Sequence, residues 1–234
     1  MRTALRNMAG SALALLLAGA ATAASSGEER LRFQVLLDDR PIGTHEFRIA
    51  AESDHRIVES RAHFDVRVLF VPVFSYSHAN TEVWVDGCVQ RLDSETDSNG
   101  RPYRVSLDRA AGGYRIATRD GAVEEPAECI NTFAYWDPAF LRQSRLLNSQ
   151  TGELIDVEVE PLGVVELDWP GLAGPVEGFR ILAESDGVDI RVYYTEAGRR
   201  WVALESRLEN GRLMRYLPAV EVRHAAGQDT TGEG

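Results

Sequence analysis

The chain of 234 residues contains no lysine, so all 25 of its basic residues are arginine. Without a side-chain amine there is no Schiff-base chemistry, and no lysine to cradle a phosphate. We attribute the absence to a GC-rich genome rather than to function. Basic charge is also in deficit: 25 basic residues face 36 acidic ones, for a net charge of −11. A surface that acidic repels phosphate backbones and anionic head groups, which argues against a nucleic-acid partner. Cysteine is scarce, with Cys88 and Cys129 alone. They form no C-x-x-C pair that would lower a thiol pKa, and they are not spaced with histidines as a zinc site. The usual catalytic signatures are missing as well. There is no G-x-S-x-G elbow, no H-E-x-x-H, no phosphate-binding glycine loop and no dinucleotide fingerprint. Neither a cofactor nor a metal is expected.

What is present begins with an address. Arg2 and Arg6 precede an apolar run from Met8 to Ala21, and Ala21-Thr22-Ala23 supplies small residues for cleavage. This reads as a secretory signal peptide over residues 1–23. The run is shorter than the ~20 residues a membrane-spanning helix needs, and no later stretch is as apolar. No cysteine follows it, so no lipid attachment is expected. The remaining chain, with 23 basic and 36 acidic residues, is expected to be soluble, without a transmembrane segment, and periplasmic or secreted from a Gram-negative bacterium. In an oxidising compartment an even cysteine count reads as one Cys88–Cys129 disulfide.

Roughly 200 residues then remain, enough for one buried core. Most of the chain alternates as strands do. Val58, Ala62, Phe64, Val66, Val68 and Phe70 would share one face of a long strand, with Glu59, Arg61, His63, Asp65 and Arg67 on the other. Pro72 bends or ends that strand, since proline cannot donate to a ladder. Further strands are expected at 31–37, 43–49, 73–85, 89–96, 103–107, 114–118, 154–160, 164–167, 176–182, 189–195, 201–208 and 212–217. One helix interrupts them: Asp137 is a natural N-cap, Pro138 suits the first helical position, and Phe140, Leu141, Ser144 and Leu147 follow at helical spacing. The expectation is a single antiparallel β domain over 24–223 with one inserted helix, and a disordered tail at 224–234.

The motifs carry a resemblance. Tyr76-Ser77-His78, Glu82-Val83-Trp84-Val85-Asp86-Gly87, and Leu92-Asp93-Ser94-Glu95-Thr96-Asp97 with Asn99-Gly100 form one group. Tyr135-Trp136-Asp137-Pro138, the run Leu146 to Leu154, Gly198-Arg199-Arg200-Trp201-Val202 and Arg215-Tyr216-Leu217 form another. In combination they resemble an exported bacterial family known only as domain of unknown function 6134, over nearly all of the chain past the leader. Cys88-Val89 departs from the Arg-Leu expected after the glycine, which sets the disulfide outside the family pattern. More distantly the chain is similar to periplasmic lipoprotein carriers. That similarity implies a mainly β fold, a strongly curved antiparallel sheet forming an incompletely closed β-barrel around a helix, with an apolar interior able to take an acyl chain.

The strand from Phe74 to Trp84 concentrates the chemistry. Phe74, Tyr76, His78, Asn80, Glu82 and Trp84 turn to one side, because successive side chains in a strand point to opposite faces. His78 and Glu82 are ~13 Å apart along a strand, too far to share a metal. A metal site or an acid–base pair would need a third group. His63 and Asp65 could supply it by approaching Asn80 and His78, although a slip of one residue would put them on the opposite face. The row is either a satisfied polar layer or a ligand site. A second feature is the apolar run Val68 to Phe74, where two strands should turn: either the helix covers it or it is the lip of a cleft. His45, His55 and His224 read as solvated surface.

Three functions remain open. One is a non-catalytic periplasmic binding protein for a hydrophobic, lipid-like molecule, with Phe70, Phe74, Tyr76, Trp84, Trp136 and Phe140 as apolar lining and His78 and Glu82 orienting a polar head. Another is an envelope module that grips a protein partner through the apolar tip or a sheet edge. The third is an enzyme using His78 and Glu82.

Overall fold

The structure is a computed structural model that describes residues 27–68, 71–197, 199–208 and 210–219. The leader over 1–23 and the whole polar tail over 224–234 lie outside the described residues, as does Phe70. Among the described residues there are fifteen strands: β1 (Glu28–Leu37), β2 (Arg40–Ala51), β3 (Arg56–Val68), β4 (Val71–Val85), β5 (Cys88–Ser98), β6 (Arg101–Ala110), β7 (Gly113–Thr118), β8 (Gly121–Glu125), β9 (Arg145–Leu147), β10 (Leu154–Asp156), β11 (Glu158–Trp169), β12 (Leu172–Ala183), β13 (Val188–Tyr194), β14 (Trp201–Arg207) and β15 (Leu213–Pro218). The alternating pattern is realised. Along β3, Val58, Ser60, Ala62 and Phe64 are buried while Arg61 and His63 are exposed.

Thirteen strands form one antiparallel sheet in the order β11-β12-β13-β14-β15-β1-β2-β3-β4-β5-β6-β7-β8. Neighbours in sequence are neighbours in space, except that β15 returns to pair with β1, as at Phe33↔Pro218. Strands β8 and β11 are the two edges and are not paired with each other, so the sheet is not closed into a barrel. The segment joining these edges must therefore travel from one side of the sheet to the other. It does so across the face that carries the core. Val89 of β5 donates its N–H to Ile130 O, the Trp136 ring meets Trp84 of β4 edge to face at 5.4 Å, and Tyr194 of β13 donates its hydroxyl to Tyr135 O. Cys88 and Cys129 are joined, tying the start of this segment to the β4–β5 hairpin across 41 residues.

The inserted helix expected over 138–147 does not form. Asp137 does cap, accepting from Ala139 N, and Pro138 does start a turn, but only Pro138–Arg142 winds, as a 3₁₀ helix. Gln143 is extended, and the residues beyond it find better partners than a helix offers. Arg145–Leu147 pairs with Leu154–Asp156, Leu147 N donates to Asn131 O, and Val157 N donates to Ser144 O. A helix this short is marginal by itself, so tertiary pairing decides. Phe140, Leu146 and Leu147 are buried all the same.

Two local features set the register around β4. Gly43 of β2 lies so close to β3 that an added Cβ would stand 1.9 Å from His63 O. Between β3 and β4 the ladder shifts by one residue: Val68 pairs with Val71 and Arg67 with Pro72, but Val66 pairs with Phe74, which leaves Val73 as the extra residue of a bulge. Pro72 supplies a reason, since it has no N–H for the ladder and prolines inside sheets sit at such irregularities.

Candidate functional site

Beyond the bulge, Phe64 faces Tyr76, Ala62 faces His78, Ser60 faces Asn80 and Val58 faces Glu82. On the other side β5 sets Thr96 beside His78 and Ser94 beside Asn80. The polar row therefore lies on the buried face, with small or apolar neighbours on β3 that leave room above it. A cavity of about 280 Å³ occupies that room. Its floor is the β2–β4 face from His45 to Glu82, its roof comprises Thr132–Trp136 and Asn148–Gln150, and Ile190, Leu204 and Tyr216 close the far wall.

Glu82 is locked rather than available. Its Oε1 accepts from Asn80 Nδ2 and its Oε2 from Trp84 Nε1, each at 2.7 Å, with Thr132 adding a further bond. Burial nevertheless pushes its carboxyl above the ordinary range, because three donors do not replace the lost hydration. His78 is buried with Nδ1 2.8 Å from Thr96 Oγ1, and burial pushes its imidazole down to about 4. His45 goes further, to about 3, from burial first and from the neighbouring His78 second. Its Nδ1 lies 3.4 Å from Tyr216 OH, while its Nε2 is shut off from solvent with no hydrogen-bond partner. Asn80 Oδ1 is likewise buried and unpartnered. Tyr76 stacks on Phe64 at 5.1 Å and donates its hydroxyl to Gln150 Oε1 at 2.8 Å, fastening the 148–150 turn over the row. Burial raises the phenols of Tyr76, Tyr135 and Tyr216. The chamber thus combines aromatic walls, neutral imidazoles, phenols and an amide, with one carboxyl whose oxygens are already engaged.

Of the residues expected to line a site, Tyr76, His78, Glu82 and Trp136 line this cavity. Trp84 and Phe140 are buried behind it, Trp84 holding Glu82 and Phe140 packing on Tyr135 at 5.7 Å between ring centroids. Phe74 is not part of it: with Val73 it stands at the hairpin tip, 37% and 49% exposed respectively. Of the 3₁₀ helix, Phe140 packs on Tyr135 while Val73 and Phe74 stay exposed. Of the two registers left open for His63 and Asp65, the one that would bring them to Asn80 and His78 is not adopted. The bulge sets them opposite Ser77 and Ser75 on the outer face, where they bond one another at 3.1 Å. Among the described residues no three His, Cys, Asp or Glu side chains are grouped to hold a metal ion. Nor is any helix there long and apolar enough to cross a membrane.

His45, expected on the solvated surface, is instead a cavity wall. Period-two alternation with Phe47 and Ile49, both buried, was the signal that could have placed it inside. Tyr135 and Tyr216 gave no local signal.

Among curated proteins, none matches the chain. The sequence model of the family described as Domain of unknown function (DUF6134) matches residues 33–219, a span that holds the polar row, both roof segments and the far wall, and the chain belongs to that family.

Proposed function

We propose that this protein is a non-catalytic periplasmic binding protein that holds a small hydrophobic, lipid-like molecule inside a strongly curved, half-open barrel. Curvature follows from reach. In a flat sheet β13 and β4 would lie about 29 Å apart, six strand spacings of ~4.8 Å. Yet the adjacent residues Tyr135 and Trp136 touch Tyr194 on β13 and Trp84 on β4. The observation that carries the reading is the cavity of about 280 Å³ between this sheet and the crossing segment, walled by side chains from β2, β3, β4, β13, β14 and β15. Its volume falls just below the ~300–1,000 Å³ usual for small-molecule sites, and above the ~150 Å³ of an apolar cavity that holds benzene. Export is part of the reading: the secreted chain should begin after Ala23. Native mass spectrometry of the protein isolated from its own periplasm tests both parts. A bound small molecule is expected, and it should be lost on Ala62→Trp, which fills the floor. Repeatedly empty wild-type protein would overturn the binding role.

A second reading has its own observation, the exposure of Val73 and Phe74 at the β3–β4 tip, which suits an envelope protein partner. Phe74→Asp separates the two. Loss of a co-purifying protein with cargo unchanged favours the interaction module; unchanged partners and cargo remove it. An enzyme built on His78 and Glu82 is disfavoured, because a carboxyl holding Asn80 and Trp84 is not free to take a substrate proton.

A further inference from the structure

We propose that the cargo presents an uncharged head bearing a hydroxyl, and that this head docks against His45 Nε2 and Asn80 Oδ1. The inference rests on the binding role above and narrows its ligand class.

Two independent features lead there. The first is a pair of polar atoms, shut off from solvent and without partners, on two residues that line the cavity. Buried polar atoms are nearly always bonded, so an orphan inside a cavity marks where a guest or an ordered water completes the set. Asn80 commits its Nδ2 to Glu82 Oε1, which fixes the amide orientation and leaves Oδ1 as an acceptor in need of a donor. At His45 the requirement depends on the tautomer. If the Tyr216 hydroxyl donates to Nδ1, the orphaned Nε2 carries hydrogen and needs an acceptor; if Nδ1 donates, Nε2 needs a donor. A hydroxyl both donates and accepts, so it satisfies Asn80 and either form of His45. A carboxylate only accepts and cannot satisfy Asn80 Oδ1. An ammonium only donates and fails the protonated Nε2.

The second feature is charge. No arginine lines the cavity, and its single acid, Glu82, is turned to Asn80 and Trp84. A guest carboxylate would be desolvated with no cation to meet it, and a guest ammonium would have only an engaged carboxyl. His45 and His78, held neutral by burial, give no positive charge at neutral pH. The two orphans sit on one face, two strands and two residues apart, roughly 12 Å between Cα atoms by strand geometry. One small polyhydroxylated head can address both, with the aromatic walls taking the apolar body.

The test uses decanol, decanoate and decylamine, which share a chain and differ in head charge. Binding to delipidated full-length protein is measured by calorimetry at neutral pH, for wild type and for His45→Phe, which keeps a ring against Phe47. Decanol is expected to bind at least about tenfold more tightly than either charged probe. The margin should shrink in His45→Phe while the decylamine and decanoate affinities hardly change. Asn80→Ser, a smaller substitution, provides a second check should the first variant fold poorly. Decanoate or decylamine binding as tightly as decanol overturns the head-group assignment while leaving the binding role intact. Decanol preference that survives both substitutions shows that the orphans hold only water and overturns the docking atoms. No binding by any probe, together with empty protein from the periplasm, overturns the role itself.

Discussion

Acid should destabilise this protein through its cavity. Burial pushes the imidazoles of His78 and His45 down to about 4 and about 3, against 6.5 when unhindered. A depressed folded-state value gives stability that is complete above the unfolded pKa of ~6.5 and is lost as pH falls toward the folded one. By about pH 5 the unfolded chain holds nearly one more proton at each imidazole than the folded chain does. Accumulated from about pH 7, that difference is worth roughly 2 kcal/mol per residue, about 4 kcal/mol for the pair. Glu82 works in the opposite direction. Its carboxyl is raised, so its contribution is present at low pH and is lost as pH rises, and acidification returns some of what the histidines remove. The imidazoles are isolated by comparison with a His45→Phe, His78→Gln double variant, which keeps Glu82 and every surface group. Urea unfolding followed by fluorescence of the four tryptophans gives the free energy at both pH values. The wild type should lose about 4 kcal/mol more than the variant between the two. Equal losses would mean that the imidazoles are hydrated and titrate freely, and the account of the cavity would fail with them.

Trp84→Phe removes the donor 2.7 Å from Glu82 Oε2 and strands a buried oxygen, so unfolding by urea should show a loss of about 1–3 kcal/mol. Most of that loss should vanish in a Glu82→Leu background, where no acceptor remains to be stranded. Reducing the Cys88–Cys129 bridge, which spans 41 residues, should cost about 4 kcal/mol by the loop-entropy account and lower the melting temperature. Gly43→Ala sets a methyl 1.9 Å from His63 O, where both strands are backbone and neither can yield cheaply. A loss of at least about 2 kcal/mol is expected in chemical denaturation, and an unchanged or raised stability would show that β2 and β3 are not this close.

Much of the sheet was legible because alternation is local: a buried Val58, Ala62 and Phe64 against an exposed Arg61 and His63 can be read without knowing any partner. Strand β8 was not, since Gly121–Glu125 is exposed almost throughout as an edge and has no apolar alternation to betray it. The helix failed for a related reason. Phe140, Leu141, Ser144 and Leu147 do fall at helical spacing, but a short apolar segment fits a helix or a turn followed by a strand equally well. What chose between them was the carbonyl of Asn131, the edge of β10 and the N–H of Val157, none of which lies within the segment.

The site divides the same way, and the bulge at Val73 shows where local reading stops. From Tyr76 to Trp84 the polar row belongs to one strand, so its common face was evident. Which β3 face looks at it is a matter of parity. With Val68 opposite Val71, Arg67 opposite Pro72 and no irregularity beyond, the pairing would run on to place His63 opposite Tyr76 and Arg61 opposite His78. Charged side chains would then fill the space over the row and no cavity could form. One extra residue, Val73, inverts that parity and brings Phe64 and Ala62 there instead, the first stacking on Tyr76 and the second leaving a gap above His78. The vacancy that the proposed guest would need is therefore set at the hairpin, several residues away, beside a proline that has no N–H to give the ladder. The polar groups of the row mark where a guest could be held; the misfit beside Pro72 is what leaves room for it.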